Sequence, residues 1–153
     1  MGIASVIQNS AKADLLRAGT NFNTSGGTPA GHAFKIALYT DSTTIDTTTT
    51  AYGGPSNEVS GTGYSSGGNA LTNTGVGTTT VTSFTDFSDT SWTSASFTAR
   101  GCLIYNTTAI TGLTANRAVC SITFGGDKTV SSGTFTIQFP TNDSSSAIIR
   151  LTS

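Results

Sequence analysis

The strongest constraint on the fold is a series of segments that alternate apolar and polar residues with period two. Successive side chains of a β-strand point to opposite faces of a sheet, so this period predicts half-buried strands. The first is "FKIALYT", which places Phe34, Ile36 and Leu38 on one face and Lys35, Ala37 and Tyr39 on the other. Beyond residue 78 the chain predicts five more strands, TTVTSFTDF, SFTARGCLIYN, NRAVCSITFG, GTFTIQFP and SAIIRLT.

Turn signals separate these strands at fairly even spacing, which favours an antiparallel β-sandwich or jelly roll. A parallel sheet needs crossover helices between its strands, and the sequence shows none there. We therefore predict a mainly β, single-domain protein with an N-terminal arm or helix at 1–19 and a sandwich at 20–153. The segment 125–129, "GGDKT", is interpreted as a turn, and 133–152 as a C-terminal hairpin with Phe135, Ile137 and Phe139 facing the core.

The N-terminal segment 3–18 holds the helix candidate of the chain. Apolar residues recur there at spacing four, and we expect one short helix that starts near Asn9 or Ser10 and has Gly19 as its C′ residue. Its apolar residues must be buried somewhere, which leaves two alternatives: an arm that docks on a partner, or a cover for the protein's own sandwich. The candidate assembly contacts of this segment are Ile3, Val6, Ile7, Leu15, Leu16 and Arg17.

Composition excludes several classes of function. Charged residues make up 10% of the chain and the formal net charge is −1, so no basic surface is expected to bind nucleic acid. No apolar run reaches 18 residues, and the first ten residues lack the features of a secretory signal. We therefore expect synthesis in a cytoplasm and no membrane partner.

Catalytic and metal-binding motifs match poorly. "GYSSG" (63–67) fits the spacing of a nucleophile elbow around Ser65, but no buried strand precedes it and the single histidine, His32, lies upstream. One histidine and two separated cysteines do not fit a zinc site. Asp86 and Asp89 are interpreted as a solvated turn and Trp92 as a core residue. The sequence thus predicts a non-enzymatic protein with no catalytic residue, no cofactor and no metal site; a small hydrolase using Ser65 remains the weak alternative.

The stretch "FTARGCLIYN" (97–106) is predicted to be a central strand. Strict alternation puts Phe97, Leu103 and Tyr105 on the core face, which directs Cys102 away from the core, whereas Cys120 points into it. The two cysteines are therefore predicted to be free thiols. Gly101 is interpreted as a bulge or a close backbone contact. For Arg100, a pair with a carboxylate is favoured over a binding role, although it is retained as a candidate assembly contact.

The blocks "EVSGTGYSSGGNAL", "SFTARGCLIYN" and "FGGDKTVSSGTFTIQFP" resemble a family of small virion structural proteins from tailed bacteriophages, and the resemblance covers nearly the whole chain. It implies a subunit present in many copies, a homo-oligomer on the particle whose partners are the major capsid protein or other virion proteins. The leading hypothesis is a capsid decoration or cement protein. The alternative is a receptor- or glycan-binding part of a tail or head fibre, with recognition by loops 41–68 and 107–116. Against this alternative, aromatic residues make up only 8% of the chain, and few are expected to be exposed beyond Tyr39, Tyr52 and Tyr64.

Overall fold

Two antiparallel sheets face each other in the computed structural model, which describes residues 2–153. The elements follow in chain order: β1 Val6–Ile7, α1 Asn9–Leu16, β2 Phe34–Tyr39, β3 Asn69–Leu71, β4 Asn73–Thr78, β5 Thr82–Phe87, β6 Thr90–Asn106, β7 Arg117–Ile137 and β8 Ile149–Thr152. The larger sheet has the order β1-β7-β6-β2-β3 and the smaller sheet the order β4-β5-β8. The predicted single-domain β-sandwich with one short helix is confirmed.

Two elements match their predictions closely. Strand β2 alternates as expected, with Phe34, Ile36 and Leu38 on the face that looks toward the smaller sheet. Helix α1 begins at Asn9, as predicted. Its end differs, because Ala18 rather than Gly19 takes the left-handed backbone conformation, with φ of 57°. Gly19 instead donates its N–H to the carbonyl of Asp14, which closes the last turn.

The C-terminal prediction is wrong. The segments "NRAVCSITFG" and "GTFTIQFP" lie for the most part in one continuous strand, β7, which ends at Ile137, and "GGDKT" lies inside it. Between Ala99 and Gly101 of β6, the partner positions on β7 shift from Lys128 to Thr123, so the extra residues of β7 form a bulge within the strand instead of reversing the chain. Strand β8 pairs with β5 in the other sheet, so it forms no hairpin with β7. Phe135, Ile137 and Phe139 pack against the core as expected, but only partly buried.

The central part of the larger sheet is buried on both faces. One face packs against the smaller sheet and contains Ile36, Leu38 and Ile104, each with 0% exposure. The other face contains Ala37, Tyr39 and Leu103, and is covered by Ile3 and Ile45 from outside the main strands. Five strands face only three, so part of the inner surface of β7 extends beyond the smaller sheet. That mismatch determines where apolar surface stays open.

Candidate assembly surfaces

A register shift in the pairing of β6 with β7 changes which residues of "FTARGCLIYN" reach the core. Phe97 and Ala99 lie on the inner face, but beyond the bulge at Ala99/Gly101 the inner positions are Cys102 and Ile104. Leu103 and Tyr105 therefore lie in the outer cluster, and the predicted direction of Cys102 is wrong. The interpretation of Gly101 is confirmed, because a Cβ at this residue would lie 2.6 Å from the Ile122 carbonyl oxygen.

Both cysteines are buried in the inner core and free, so the prediction of two free thiols is confirmed. One reason given for it, the direction of Cys102 away from the core, is wrong. Cys102 is paired with Ile122, and Cys120 with Ile104, which makes the two cysteines diagonal rather than opposed neighbours. Burial raises the pKa of the Cys102 thiol to about 12 and raises the pKa of Cys120 further. Neither side chain has the exposure or the thiolate character of a reactive centre.

The N-terminal segment packs on the protein's own sandwich, the second of the two alternatives. Val6 and Ile7 pair with Ser121 and Cys120 at the edge of the larger sheet, and the Ala4 N–H donates to the Ile45 carbonyl. Ile3 is 7% exposed and belongs to the outer core. Val6, Ile7 and Leu15 are half-buried, whereas Leu16 is 92% exposed and Arg17 is also exposed. Of the N-terminal candidate contacts, only Leu16 and Arg17 are fully presented to a partner.

A buried ion pair fastens α1 to β7. The Arg117 Nε donates to Asp14 Oδ2 over 2.7 Å, and each side chain is 4% exposed. The other guanidinium nitrogens donate to the carbonyls of Gly19 and Thr114, at 2.7 and 3.2 Å. Since an unpaired buried charge is costly, this network holds residues 14–19 in place.

Arg100 pairs with carboxylates, as favoured from the sequence. Its Nε lies 2.7 Å from Asp127 Oδ1, and its Nη2 lies 3.9 Å from Asp41 Oδ2. Asp127 belongs to the bulged "GGD" segment, so the arginine ties that segment to β6. The side chain is 34% exposed, and its strongest contact is already inside the molecule.

The most elaborate polar cluster surrounds Glu58. Its Oε2 accepts hydrogen bonds from the hydroxyls of Tyr52 (2.7 Å) and Ser66 (2.9 Å). Its Oε1 accepts from the Tyr64 hydroxyl (2.7 Å) and the Gly67 N–H (2.6 Å). Burial opposes ionisation of this carboxyl, but the four donors outweigh burial and hold its pKa below the ordinary 4.5. The carboxylate is thus saturated by protein donors.

Tyr39, Tyr52 and Tyr64, which were expected to be exposed, belong to the same polar cluster instead. Tyr39 has 0% exposure, and its hydroxyl donates to the Tyr52 carbonyl. Tyr52 stacks on Tyr105 with ring centroids 4.6 Å apart, and Tyr64 lies half-buried beside Trp92. All four tyrosines of the chain therefore contribute to one internal network around Glu58. Sequence reasoning missed this network because its members come from separate loops and strands.

The residues of the remaining motifs lie partly in the core and partly at the surface. Asp86 is fully buried, contrary to the predicted solvated turn, and accepts the N–H groups of Phe87 and Ile148. Trp92 is 3% exposed in the core, as predicted. His32 contacts Asn106, and Ser65 lies in an exposed turn. Among residues 2–153, no group of three His, Cys, Asp or Glu side chains could hold a metal ion.

The first open apolar surface is the flank groove, of about 550 Å³, along the uncovered part of β7. Its apolar walls come from β7, from the residues just after it and from the residue that precedes β8: Ile122, Phe124, Phe135, Ile137, Phe139, Pro140 and Ile148. A second hollow, which also contains Ile122 and Ile148, continues the groove toward Val6 and Ile7. The groove exists because the three-stranded sheet is too narrow to cover this part of β7.

The second open surface, the end patch, lies where α1 meets the far end of the smaller sheet. Leu15, Val76 and Leu151 line one hollow there, together with Phe84. Leu16 follows Leu15, and the carbonyl of Val81 accepts the Ser153 N–H just beyond β8. Val76, Val81 and Leu151 are 56%, 57% and 55% exposed, and together with Leu16 they are the exposed large hydrophobic residues of the described part of the chain.

Sequence reasoning located Leu15 and Leu16 but missed their neighbours. Val76 lies in a segment that was interpreted mostly as loops and short edge strands. Val81 and Leu151 lie in the predicted strands TTVTSFTDF and SAIIRLT, but the sequence did not indicate that either side chain would be exposed. The sequence predicted part of the flank groove, since Phe135, Ile137 and Phe139 were recognised as one apolar face of a strand. Nothing in the sequence indicated that this face lacks a cover.

The fold shows that the chain is a mainly β protein, a sandwich of two antiparallel sheets with two open apolar surfaces. Comparison with protein-family models, curated proteins and solved structures found no match. Within residues 2–153, no helix is both long and apolar enough to span a membrane.

Proposed function

We propose that the protein is a non-enzymatic structural component of a phage virion, a decoration protein that binds neighbouring capsid subunits in many copies. The observation that carries the proposal is the contrast between its polar and apolar groups. The charged side chains of Glu58, Arg117 and Arg100 bind partners within the protein. The flank groove is instead lined mainly by aromatic and aliphatic side chains.

That contrast favours assembly over chemistry. Catalysis needs polar groups free to act on a substrate, whereas protein association gains from burying apolar surface. The resemblance of three sequence blocks to phage virion proteins supports the same function. Capsid-bound copies would stabilise the particle by mass action, because they bind its assembled form and not its dissociated subunits.

Head binding provides the test. Purified protein is sedimented with intact and with emptied heads of the phage that carries the gene, and the bound copies are counted against the major capsid protein. We expect saturable binding at a fixed ratio. The Ile137→Glu variant should lose binding, because it places a charge in the flank groove, whereas Thr134→Glu, at an exposed β7 residue outside the groove, should keep it.

Thermal melts of both variants establish that they fold before binding is compared. Absence of binding by the wild-type protein would refute the decoration hypothesis. Binding to host cells or to tails instead would support the fibre alternative, with loops 41–68 and 107–116 as the next regions to vary.

A further inference from the structure

The single histidine of the chain closes the loop between α1 and β2. This loop, residues 20–33, places Phe22 in the inner core, where its ring stacks on that of Phe34 with the centroids 5.0 Å apart. The N–H of His32 donates to the carbonyl of Asn21 over 2.9 Å, which joins the two ends of the loop. Phe22 also lines the hollow of the end patch, so an opening of this loop changes the apolar surface presented there.

Two donors converge on one nitrogen of the His32 ring. The backbone N–H of Asn21 donates to Nδ1 over 3.3 Å, and the side-chain amide nitrogen of Asn106 lies 2.9 Å from the same Nδ1. The Asn106 amide is oriented by its other end, because its Oδ1 accepts the N–H of Thr108 over 2.9 Å. A ring nitrogen that accepts a hydrogen bond carries no proton. The contacts therefore require the neutral ring with its hydrogen on Nε2.

Protonation of the ring removes this acceptor. An imidazolium carries N–H on both nitrogens, so Nδ1–H would point at the donors of Asn21 and Asn106 and both hydrogen bonds would be lost. Asn106 has 0% exposure, so its amide nitrogen is poorly placed to bond to water instead. A buried donor left without an acceptor is destabilising.

The charges near the ring also favour its neutral form. Neither loop 20–33 nor the segment 106–116 contains Asp or Glu. The neighbouring elements contribute Arg117 of β7, Lys35 of β2, and Asp14 and Arg17 at the end of α1. The carboxylate among them already binds Arg117 over 2.7 Å. Burial and the positive charge of Arg117 both lower the pKa of His32 below its ordinary 6.5.

We propose that His32 is an acid-sensitive latch, whose neutral ring holds loop 20–33 closed and whose protonation loosens the loop and uncovers Phe22 beside the end patch. The direction follows from linkage. The ring has an ordinary pKa near 6.5 when the loop is open and a lower pKa when it is closed. The latch is therefore strongest above that pH. As pH falls from there toward the lowered pKa, the ratio of closed to open loop decreases by at most about tenfold per pH unit. This device is independent of capsid binding.

Hydrogen exchange on the full chain tests the latch. Protection factors are measured between about pH 8 and about pH 5 for the amides of Asn21, Gly31 and His32, each of which donates a hydrogen bond in the loop. We expect them to decrease in acid by up to about tenfold per pH unit. At every pH they should also lie below the protection of β2, because the loop opens without unfolding the sandwich. Protection equal to that of β2 would show that the loop does not open separately, and overturns the proposal.

The matched control is His32→Gln, whose side chain can accept a hydrogen bond and cannot be protonated in this range. Its loop protection should not depend on pH. Asp86, whose pKa is raised by burial, is present in both proteins, so the difference between them belongs to residue 32. The same pH dependence in both proteins overturns the latch.

Nitrogen chemical shifts of the imidazole provide a readout that needs no variant. In the wild type we expect the hydrogen on Nε2 at neutral pH and a titration midpoint below 6.5. Asn106→Asp places a carboxylate against Nδ1, so it should raise this midpoint and keep the loop closed in acid. A hydrogen on Nδ1, a wild-type midpoint at or above 6.5, or a midpoint that Asn106→Asp leaves unchanged overturns the proposal.

Discussion

The buried pair between Asp14 and Arg117 gives the sharpest test of how the N-terminal segment is held. We expect Asp14→Ala to lower the free energy of unfolding substantially, because it leaves the guanidinium of Arg117 buried without its carboxylate. Breaking such a pair costs about 3–5 kcal/mol. The carbonyls of Gly19 and Thr114 still accept from Arg117, which places the expected cost near the lower end, at about 3 kcal/mol.

The measurement is urea unfolding followed by far-ultraviolet circular dichroism, with a thermal melt as a second readout. For a chain of this length, about 3 kcal/mol corresponds to a fall in Tm of roughly 6–12 °C. Asp41→Ala is the matched control, since the Asp41 side chain is 59% exposed and lies 3.9 Å from Arg100. Its cost should stay below about 1 kcal/mol.

A double variant separates the pair from its surroundings. Asp14→Leu combined with Arg117→Met removes both charges, and we expect it to recover most of the stability lost in Asp14→Ala, because apolar residues can replace a buried pair at little cost. If Asp14→Ala costs no more than Asp41→Ala, the pair does not anchor α1. The N-terminal segment could then leave its sandwich, and the arm hypothesis would regain support.

Two further predictions concern the polar cluster and the thiols. Because Glu58 has a folded-state pKa below 4.5, its ionised form contributes stability above that pH and loses the contribution as pH falls through the folded pKa. Glu58→Gln should therefore cost about 1–2 kcal/mol near pH 7 and much less near pH 3, as measured by denaturant unfolding; an equal cost at both pH values would contradict the role of the charge. Cys102 and Cys120 should resist a thiol reagent until the chain unfolds, with two thiols then reacting per chain. Rapid labelling of the folded protein, or an unreduced mass two hydrogens low, would show that the assignment is wrong.

The sequence predicted the parts of the fold that depend on local alternation. Strand β2 pairs without a bulge, so the faces of Phe34, Ile36 and Leu38 followed from spacing alone. Strand β6 has four register shifts along its pairing with β7. Across the shift at Ala99/Gly101 the inner residues Ala99 and Cys102 lie three positions apart, so the two faces are exchanged there. The direction of Cys102 could not be read from spacing for that reason. The pairing of β8 with β5 was also not predicted. Because β8 follows β7 directly along the chain, the sequence suggested a hairpin between these two strands, which the structure does not contain.

The candidate surfaces were less predictable than the fold. Burial of Phe135 and Ile137 depends on how many strands the opposite sheet supplies, and that number is a property of the whole topology. The seven candidate contacts divide in the structure: Ile3 lies in the core, Arg100 is paired with Asp127, and Leu16 is exposed. Spacing alone could not separate these cases, since all of them follow from contacts between residues far apart in sequence.

The pairing of β1 with β7 also has a consequence for the time course of synthesis. Val6 and Ile7 contact residues 120 and 121, and Asp14 contacts residue 117, so segments made early wait for segments made more than 100 residues later. At about 5–20 residues per second, that delay is on the order of 5–20 s. During this interval the apolar side chains of the N-terminal segment have no native partner. Because only 10% of the residues are charged and the net charge is −1, electrostatic repulsion gives the nascent chain little protection against aggregation until the last strands leave the ribosome.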